Sequence, residues 1–566
     1  VLANAQRIVL WGADPIVTND IDWTTTLHDT ANAFKSIKTR SDIKVTAINP
    51  VKPETLGVTG GKWLSVKPGT DAALAMAIVH TLFVEGLANR QFLENYTTGS
   101  DHLERYVLGK EDGIIRDALW AAQITGLSTE TIQTLARDLA THKTMIMLGW
   151  GPQRAKYGES SVWAIWALAA VLGQIGGAGT GIGTHYHYSS GGGAASAFKP
   201  FSGIPTNVTP IYPVKHPEKN ANPLPVATVA DVLLNPGKTI RCGGFTLQYP
   251  SIKLVFWAGG NPFAHHPDTG RLREAFRTPD TVIVSDVFET ATTQMADIIL
   301  PASHPTERSD IAGIGTYDAR GIVRSQALFE PMGESLNDYE LFSRLASALG
   351  CEEAFTEGLT ADQWAERLFM DAVKQNADVA KRFEVKLPSW TTFNHTGIFL
   401  YPSVTKSSPT RLQAFVRDPL KNPLPTETGR LMLTSRRVAE ANLSDCPGYP
   451  AYLEEMKDNT SFCLISPKST VRLHSQLDPV TRLVFNEAGC EPVWINPHDA
   501  NKIGVNTGDQ VKLSTKQGSV TANVVVTANV HTGVLVLHHG AWAEVSPDGL
   551  REDGIERLHC RHGASN

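Results

Sequence analysis

The sequence predicts an α/β fold with two doubly wound units on parallel sheets and a C-terminal β-barrel domain. Two stretches of the chain alternate strand-like and helix-like patterns, which is typical of parallel sheets covered by helices. From residue 461 the pattern changes to short strands separated by glycine turns, which is typical of a small barrel or sandwich. The length of 566 residues also exceeds the size at which a single hydrophobic core stops growing.

The composition is that of a folded globular protein. Hydrophobic residues make up 42% and charged residues 19% of the chain, which argues against disorder. The net charge of -6 and the lack of a long Lys/Arg run argue against nucleic-acid binding. The longest apolar stretch, at residues 162–172, is far shorter than the ~20 residues of a membrane-spanning helix, so no membrane span is predicted.

The cysteines and the chain ends carry two further expectations. The six cysteines are scattered, with no CxxC pair and no cluster at metal-ligand spacing, so no iron-sulfur or zinc site is predicted. The chain begins with Val, without a signal-peptide pattern, and a strand-like segment follows almost at once. We therefore expect a fragment that lacks both natural ends.

The first unit is assigned to residues 1–200. Strand-like segments occur at residues 8–15, IVLWGADP, and 44–50, KVTAINP, and an apolar helix pattern follows at residues 71–87. Before that helix, the turn at residues 68–71 offers Thr or Asp to accept hydrogen bonds from the free N–H groups of the first helical turn. This alternation predicts a parallel sheet covered by helices.

The same pattern returns in a second unit, which is assigned with its connector to residues 201–460. Strand-like segments occur at residues 253–262, KLVFWAGGNP, at 281–286, TVIVSD, and within 296–308, ADIILPASHPTER. The third assigned domain, the barrel, covers residues 461–566. The repetition of one pattern predicts two units of the same kind.

The strand ends of both copies indicate nucleotide binding. Each first strand ends in a glycine turn, WGADP or WAGGNP, and glycines let backbone N–H groups approach a phosphate at the carboxyl edge of a sheet. The next strand ends at Asn49 or Asp286, where doubly wound sheets commonly hold a ribose. Neither turn is a full GxGxxG motif, which argues against an ordinary NAD site. The alternative for each turn, taken alone, is a tight corner between a strand and a loop.

Three polar clusters accompany these strand ends. Residues 149–154, GWGPQR, offer a guanidinium that suits phosphate or a planar heterocycle, although a surface salt bridge would leave the same pattern. Residues 261–268, NPFAHHPD, favour hydrogen bonding to a polar ligand over metal binding, with a satisfied loop as the alternative. Residues 466–476, SPKSTVRLHSQ, suit a phosphate-rich or pterin-like ligand, or a solvated loop. Hydrolase or kinase signatures are not seen.

As an ordered set, these motifs resemble the dimethyl sulfoxide, trimethylamine N-oxide and biotin sulfoxide reductase group of the molybdopterin oxidoreductase family. The resemblance extends along essentially the whole chain. The motifs that carry it are WGADP, INPVKPET, PGTDAAL, GWGPQR, LGQIGGAG with HYHYS, WAGGNPFAHH, ADIILPA with ER, RLHSQL and VWINPHDA. Such a protein holds molybdenum between two molybdopterin guanine dinucleotides, which would account for two nucleotide-binding halves.

The resemblance implies cofactor contacts in all three predicted domains. In the first unit they are Val17, Thr18, Ile48, Asn49, Gly69, Thr70, Asp71, Trp150, Gly151 and Arg154. In the second unit they are Asn261, Pro262, His266, Ser285 and Asp286. In the β domain they are Ser466, Lys468, His474, Ser475, Gln476 and Asn566. Lys468 stands where the family often has His, and Pro267 where Gln is common.

The metal ligand itself is expected outside this sequence. The resemblance implies a molybdenum-binding serine, with an aromatic pair near it, in an upstream segment. No catalytic or metal-ligating residue is therefore assigned here, and a C-terminal tail is expected after Asn566.

The implied activity is a molybdenum-dependent S-oxide or N-oxide reductase. A reduced cofactor would take oxygen from dimethyl sulfoxide, trimethylamine N-oxide, methionine sulfoxide or biotin sulfoxide. The alternatives are a formate- or nitrate-type relative, which should show an upstream cysteine cluster, and a non-catalytic scaffold of the same fold. The resemblance further implies a role in anaerobic respiration, an electron donor such as a c-type cytochrome, and a periplasmic location, or a cytoplasmic one for the biotin sulfoxide type.

Overall fold

The computed structural model describes most of the chain as alternating helices and strands. The described residues are 4–19, 30–184, 197–199, 201–202, 224–242, 245–314, 321–402, 410, 412–454, 462–476, 478, 480, 490–516 and 518–542. Their strands form six sheets, of which three position the candidate site. No helix among these residues combines the length and apolar character needed to cross a membrane.

The first unit is built on a parallel sheet. The strands of residues 4–184 are β1 (Arg7–Trp11), β2 (Lys44–Asn49), β3 (Lys62–Ser65), β4 (Thr97–Thr98), β5 (Thr144–Leu148) and β6 (Gly181–Gly183). The order in the sheet is β3-β2-β1-β5-β6, and all of its pairs are parallel. The apolar β1 and β5 are buried throughout, as expected of central parallel strands. The winding reverses between them, which confirms the predicted doubly wound fold.

Helices cover this sheet. They are α1 (Pro15–Thr18), α2 (Thr30–Lys35), α3 (Glu54–Thr59), α4 (Asp71–Val84), α5 (Arg90–Tyr96), α6 (Ser100–Val107), α7 (Ala118–Thr125), α8 (Thr129–Thr141) and α9 (Gly158–Leu172), with 3-10 turns at Ser36–Thr39 and Pro152–Arg154. α4 and α9 pack against each other in the main core. Both are apolar around most of their circumference because the sheet and other helices enclose them.

The helix predicted at residues 71–87 is α4, and the predicted N-cap position is confirmed, but the Thr70 side chain does not cap the helix. Thr70 occupies the N-cap position, yet its hydroxyl donates to the Lys67 carbonyl at 2.7 Å and does not accept from the helix. The Asp71 carboxylate instead accepts from Trp11 Nε1 at 2.7 Å. The turn is therefore also tied to β1.

The second unit contains a second parallel sheet. Its strands are β7 (Thr239–Cys242), β8 (Phe245–Gln248), β9 (Leu254–Ala258), β10 (Thr281–Asp286), β11 (Ile298–Pro301), β12 (Asp310–Ile314), β13 (Gly321–Ser325) and β14 (Ile398–Leu400). The predicted strands form the parallel sheet β11-β10-β9, while β7 and β8 form a hairpin and β12-β13-β14 an antiparallel sheet. The carboxyl ends of β9, β10 and β11 therefore lie along one edge.

The helices of the second unit lie on its sheets and extend beyond them. They are α10 (Val229–Leu234), α11 (Thr269–Ala275), α12 (Asp338–Ala348), α13 (Glu352–Thr356), α14 (Ala361–Arg382) and α15 (Trp390–Thr396), with 3-10 turns at Val226–Thr228, Pro262–Ala264, Thr293–Met295 and Pro305–Glu307. α10 and α11 share a hydrophobic core with β9 and β10. They cover one face of the parallel sheet.

Residues 412–454 pack on the first unit. They contain α16 (Gln413–Arg417), β15 (Leu431–Met432) and α17 (Arg436–Glu440). β15 pairs with β4, and Trp163 Nε1 of α9 donates to the Met432 carbonyl at 2.8 Å. The division at residues 200 and 460 stays a prediction, and we propose that residues 412–454 belong with the first unit.

The C-terminal region is a β domain, as predicted. Its elements are β16 (Cys463–Ile465), β17 (Pro492–Ile495), α18 (Pro497–Ile503), β18 (Gln510–Ser514), β19 (Ser519–Val526) and β20 (Val534–Leu537). The described strands form one mixed sheet in the order β16-β20-β17-β19-β18.

The β domain contacts the first unit next to β2. Val51 and Val530 form an antiparallel bridge. On either side of it, Lys52 N donates to the Asn529 carbonyl and His531 N to the Pro50 carbonyl, each at 2.8 Å. These backbone bonds fix the β domain beside the carboxyl edge of the first sheet.

Candidate functional site

The turns after β1 and β5 touch each other at the point where the winding of the first sheet reverses. Gly149 N donates to the Trp11 carbonyl at 2.8 Å, and Gly12 N donates to the Ile48 carbonyl at 3.0 Å. A Cβ added at Gly149 would lie 1.9 Å from Gly12 O, so only glycine fits there. Reversal points of open α/β sheets are where ligands bind, and these glycines keep the backbone accessible.

The carboxylate of Asp14 holds the β1 turn in place. It accepts from the backbone of Glu54 at 2.8 Å and from the backbone and hydroxyl of Thr55 at 3.0 and 2.6 Å. Burial raises the pKa of Asp14, and the bonds from Thr55 and Glu54 oppose that rise. Val17 and Thr18, two predicted contacts, follow this turn on α1, where Thr18 is exposed.

The remaining predicted contacts of the first unit lie at the same edge. The Asn49 side-chain amide lies 3.4 Å from the carbonyls of Leu10 and Ala13, so it joins the ends of β1 and β2. Ile48 is 1% exposed, which leaves its backbone as the part that can meet a ligand. Gly69 has a φ of +75°, a left-handed backbone conformation that residues with a side chain rarely adopt. Burial raises the pKa of Asp71, and the bond from Trp11 opposes the rise.

Trp150, Gly151 and Arg154 follow β5. Trp150 Nε1 donates to the Thr184 carbonyl at 2.9 Å. The Arg154 guanidinium lies 5.7 Å from the centre of the Trp150 ring, within the range of a cation–π interaction. The charge of Arg154 also contributes to lowering the pKa of His539, which places Arg154 within electrostatic reach of the β domain.

The carboxyl edge of the second sheet contains two buried polar atoms without partners among the described residues. The Asn261 side-chain oxygen accepts from the Thr292 hydroxyl at 2.7 Å, but Asn261 Nδ2 makes no hydrogen bond. The Ser285 hydroxyl is likewise unpaired. Asn261 and Ser285 are only 5% and 2% exposed, and buried groups of this kind normally find partners. A polar ligand at this edge would supply them.

Two other predicted residues flank these atoms. Pro262 begins a 3-10 turn directly after Asn261. Asp286, which ends β10, accepts a hydrogen bond from Val287 N at 2.7 Å. Burial raises the pKa of Asp286, and the bond from Val287 opposes that rise. The edge thus combines a carboxylate, an amide and a hydroxyl at the ends of adjacent strands.

The second unit meets the β domain through His265. His265 Nε2 lies 3.1 Å from Ser475 Oγ, whereas His266 lies against Trp257, with ring centres 6.1 Å apart. Burial lowers the pKa of His266. The contact that the resemblance implies at His266 stays a prediction. His265 is not among the implied contacts, and no local pattern marks it as the histidine that reaches the β domain.

The polar run after β16 is held tightly at its far end. His474 has a φ of +55°, and a Cβ added at Gly540 would lie 1.9 Å from His474 O. Trp542 Nε1 donates to the Ser475 carbonyl. His474 and Gln476 are exposed, while Ser475 is buried against His265.

The start of the run is more open. Ser466 and Lys468 are half-exposed, and Lys468 Nζ donates to the Ser469 carbonyl at 3.0 Å. Both of these predicted contacts therefore have side chains that a ligand could reach. Asn566 and the HYHYS motif lie outside the described residues.

A buried ion cluster fixes this run, and no local pattern marks its acidic members. Arg472 contacts Glu491 at 2.6 and 3.1 Å and Asp478 at 2.8 Å. The three side chains are 0%, 3% and 1% exposed, in that order. Asp478 also accepts from Trp542 N at 2.9 Å. Arg472 thus ties residues 466–476 to the segment after β20.

Two neutral histidines follow β20 beside this cluster, and they predict a loss of stability in acid. Burial lowers the pKa of His538 to about 4, and the charges of Arg472 and Lys468 add to the effect. Burial lowers the pKa of His539 to about 4, and the charge of His474 adds to the effect. Each of these histidines binds fewer protons in the folded protein than in the unfolded chain. The free energy of unfolding is therefore highest above the ordinary pKa of 6.5 and decreases as the pH falls towards 4.

We expect His538→Gln to weaken this pH dependence. Between about pH 7 and about pH 4, the variant should lose about 2 kcal/mol less unfolding free energy than the parent, because one depressed pKa is removed. Denaturant unfolding at several pH values measures the slope, and His395→Gln, at an exposed histidine, serves as control. Parallel pH profiles for parent and His538→Gln would contradict the assignment.

These groups together suit an anionic ligand with several polar parts. The glycine turns leave the strand ends of the first sheet accessible, and Arg154 adds a positive charge near the β domain. Asn261 Nδ2 and Ser285 Oγ are free to donate at the second sheet. The site has two nucleotide-type edges, and the polar run of the β domain reaches the second through Ser475. This arrangement fits a phosphate-bearing dinucleotide better than a single small metabolite.

Comparisons with known proteins agree with this fit. The family model described as "Molybdopterin oxidoreductase" matches residues 1–348, and that described as "Molydopterin dinucleotide binding domain" matches residues 462–565. The structure of acetylene hydratase from Pelobacter acetylenicus has a TM-score of 0.66 at 17% identity, covering 98% of this chain and 74% of that one. That likeness shows the fold.

Curated relatives extend the match over nearly all of the chain. The chain is 38% identical to the trimethylamine-N-oxide reductase of Haemophilus influenzae, covering 100% of this chain and 69% of the relative. It is 37% identical to the dimethyl sulfoxide/trimethylamine N-oxide reductase of Cereibacter sphaeroides, covering 96% and 66%. It is 35% identical to trimethylamine-N-oxide reductase 1 of Escherichia coli K12, covering 100% of this chain and 68% of the relative. The chain spans about two thirds of the length of these relatives.

The resemblance found in the sequence is therefore confirmed, and so is the oxidoreductase class. Both matching models concern molybdopterin, and the second is described as a dinucleotide binding domain. The chain belongs to the molybdopterin oxidoreductase family.

Proposed function

We propose that this protein reduces a small S-oxide or N-oxide with a molybdenum cofactor made of two molybdopterin guanine dinucleotides. The observation that carries the proposal is the presence of two nucleotide-type sheet edges, with a polar run of the β domain in contact at Ser475. One edge would hold each dinucleotide. The relatives named as trimethylamine N-oxide and dimethyl sulfoxide reductases support the choice of reaction.

The residues that would hold the group are those predicted at these edges. At the first edge, backbone N–H groups beside Gly69 and the side chains of Asn49 and Asp71 would face a nucleotide. At the second edge, Asn261 Nδ2 and Ser285 Oγ would donate to one. When bound, the cofactor supplies the oxygen acceptor and the electron pair of the reaction.

The chain itself would bind and orient the group. Arg154, lying over Trp150, suits a phosphate or the edge of a planar heterocycle, since its fork donates two parallel hydrogen bonds. Neutral His538 and His539 add no positive charge at neutral pH. Arg472 acts indirectly, because its two carboxylate partners hold the loop that carries His474 and Ser475.

The substrate, donor and location belong to the same proposal. Trimethylamine N-oxide and dimethyl sulfoxide are the first candidates because the relatives bear those names. Methionine sulfoxide and biotin sulfoxide stay as alternatives. We further propose a role in anaerobic respiration with a c-type cytochrome as donor, and a periplasmic location, or a cytoplasmic one if biotin sulfoxide is the substrate.

A turnover assay tests the reaction. The holoprotein would be supplied with a reduced viologen dye and, in turn, trimethylamine N-oxide, dimethyl sulfoxide, methionine sulfoxide, biotin sulfoxide and nitrate. We expect dye oxidation with at least one S-oxide or N-oxide and none with nitrate. Turnover of nitrate alone would favour the nitrate-type alternative, and no turnover by cofactor-loaded protein would favour the scaffold.

A further inference from the structure

The described part of the chain contains three buried serine hydroxyl oxygens without a hydrogen-bond partner, and all three lie at the second sheet edge. Ser285 is the next-to-last residue of β10, and Ser303 follows β11. Ser335 precedes Leu336, whose N–H donates to the Pro301 carbonyl of β11 at 3.1 Å. The unpaired Asn261 Nδ2 lies after β9, at the same edge. Unpaired buried nitrogens of the described residues also occur elsewhere, for example His102 Nε2 and Arg116 Nε, but the unpaired serine hydroxyls are all at this edge.

Among the described residues, the other fully buried serine and threonine hydroxyls have partners within the protein. Thr81 and Thr125, for example, donate to carbonyls one helical turn back, at 2.9 and 2.8 Å. Even near this edge, the Thr293 hydroxyl donates to the Thr290 carbonyl at 2.8 Å. Because leaving a buried hydroxyl unpaired is unfavourable, the exceptions call for a partner that is not part of the protein.

Ser303 is the clearest of the three, since only its hydroxyl lacks a partner. Its N–H donates to the Leu336 carbonyl at 2.9 Å, and its carbonyl accepts from Arg308 Nη1 at 2.9 Å. The residue is 1% exposed. One residue earlier, Ala302 N donates to the carbonyl of Asp286, the last residue of β10, at 3.0 Å. Ser303 therefore lies beside the end of β10.

We propose that Ser303 and Ser335 bind the nucleotide part of a molybdopterin dinucleotide, together with Asn261 and Ser285. This inference rests on the proposed function and extends its second site from β9 and β10 to β11 and the segment before α12. Hydroxyl groups suit phosphate and ribose oxygens, which accept hydrogen bonds. No sequence motif marked either serine as a contact.

The inference predicts opposite effects of one substitution with and without the ligand. Without it, Ser303→Ala removes an unsatisfied buried hydroxyl, so the Tm of the apoprotein should stay the same or rise. With it, the substitution removes one hydrogen bond to the nucleotide, so GMP-containing cofactor should dissociate roughly three- to tenfold faster. A merely structural serine would not show this reversal.

The experiment compares the parent, Ser303→Ala, Ser335→Ala and a matched control. Holoprotein comes from cells that make the molybdenum cofactor, and apoprotein from cells that do not. The control is Ser160→Ala, because Ser160 is a buried serine of the first unit whose hydroxyl is satisfied by the backbone of Ala451. It should lower the Tm of both forms by about 2–4 °C and leave the GMP release rate unchanged.

The readouts are Tm of each form and the rate of GMP loss from the holoprotein. Faster GMP loss in Ser303→Ala, with an apoprotein at least as stable as the parent, supports the inference. A lower apoprotein Tm with unchanged GMP loss overturns it and leaves the proposed function standing. A parent holoprotein that contains no GMP overturns the proposed function and this inference together.

Discussion

Gly149→Ala should abolish cofactor binding and destabilise the first unit by about 3 kcal/mol or more. The added Cβ would lie 1.9 Å from Gly12 O and 2.6 Å from Gly12 C, and both are backbone atoms that cannot rotate away. Relief requires the turns after β1 and β5 to separate, and these turns form the reversal point of the sheet. Soluble yield, Tm and GMP content per chain measure the effect.

The matched control is Gly57→Ala on α3. A Cβ added at Gly57 meets nothing within 4 Å, and alanine is the better helix former by about 1 kcal/mol. We expect this variant to keep its GMP and to be as stable as the parent, or slightly more so. If Gly149→Ala also kept its GMP and its stability, the result would contradict the close approach of the turns after β1 and β5.

Arg472→Met should cost about 3–5 kcal/mol of unfolding free energy, because it leaves Asp478 and Glu491 buried without their cation. The loop that carries His474 and Ser475 should loosen, and cofactor content should fall with it. Denaturant unfolding gives the energy, and GMP analysis of the holoprotein gives the occupancy.

A second variant separates lost charge pairing from lost packing. Adding Glu491→Met to Arg472→Met removes one of the stranded carboxylates, so part of the stability should return. A double variant less stable than Arg472→Met alone would contradict the view that an unpaired buried charge causes the loss.

The fold could be predicted because its main elements have strong local patterns. β1 and β5 are short apolar runs, as expected of strands buried on both faces, and α4 is a long apolar stretch after a glycine turn. The return of residues 412–454 to the first unit could not be predicted. It depends on contacts such as that of Trp163 with Met432, which lie 269 residues apart and leave no local signal.

The candidate site was predicted best where a residue follows directly from a strand end. Asn261 and Ser285 lie at the sheet edge where the strand pattern places them. The two adjacent histidines illustrate the limit, since the contact at His266 stays a prediction while the structure brings His265 to Ser475. Adjacent side chains point in different directions, and only the approach of Ser475 from the β domain distinguishes them.

Partners distant in sequence explain the other differences. The pattern PGTD shows the start of α4, but it does not show the tertiary contact of Asp71 with Trp11. Likewise, Arg472 stood out as a polar residue in the run, whereas its pairing with Glu491 depends on how the β domain folds. Local patterns identify candidate residues, and long-range packing decides what each one contacts.

Metal and nucleotide analysis of the purified holoprotein tests the central claim most directly. Molybdenum would be measured by mass spectrometry and GMP after acid hydrolysis, each per chain. Two nucleotide-type edges predict about two GMP for each molybdenum. One GMP per molybdenum would contradict the assignment of one dinucleotide to each edge, and protein without either, from cells that make the cofactor, would contradict the proposed function as a whole.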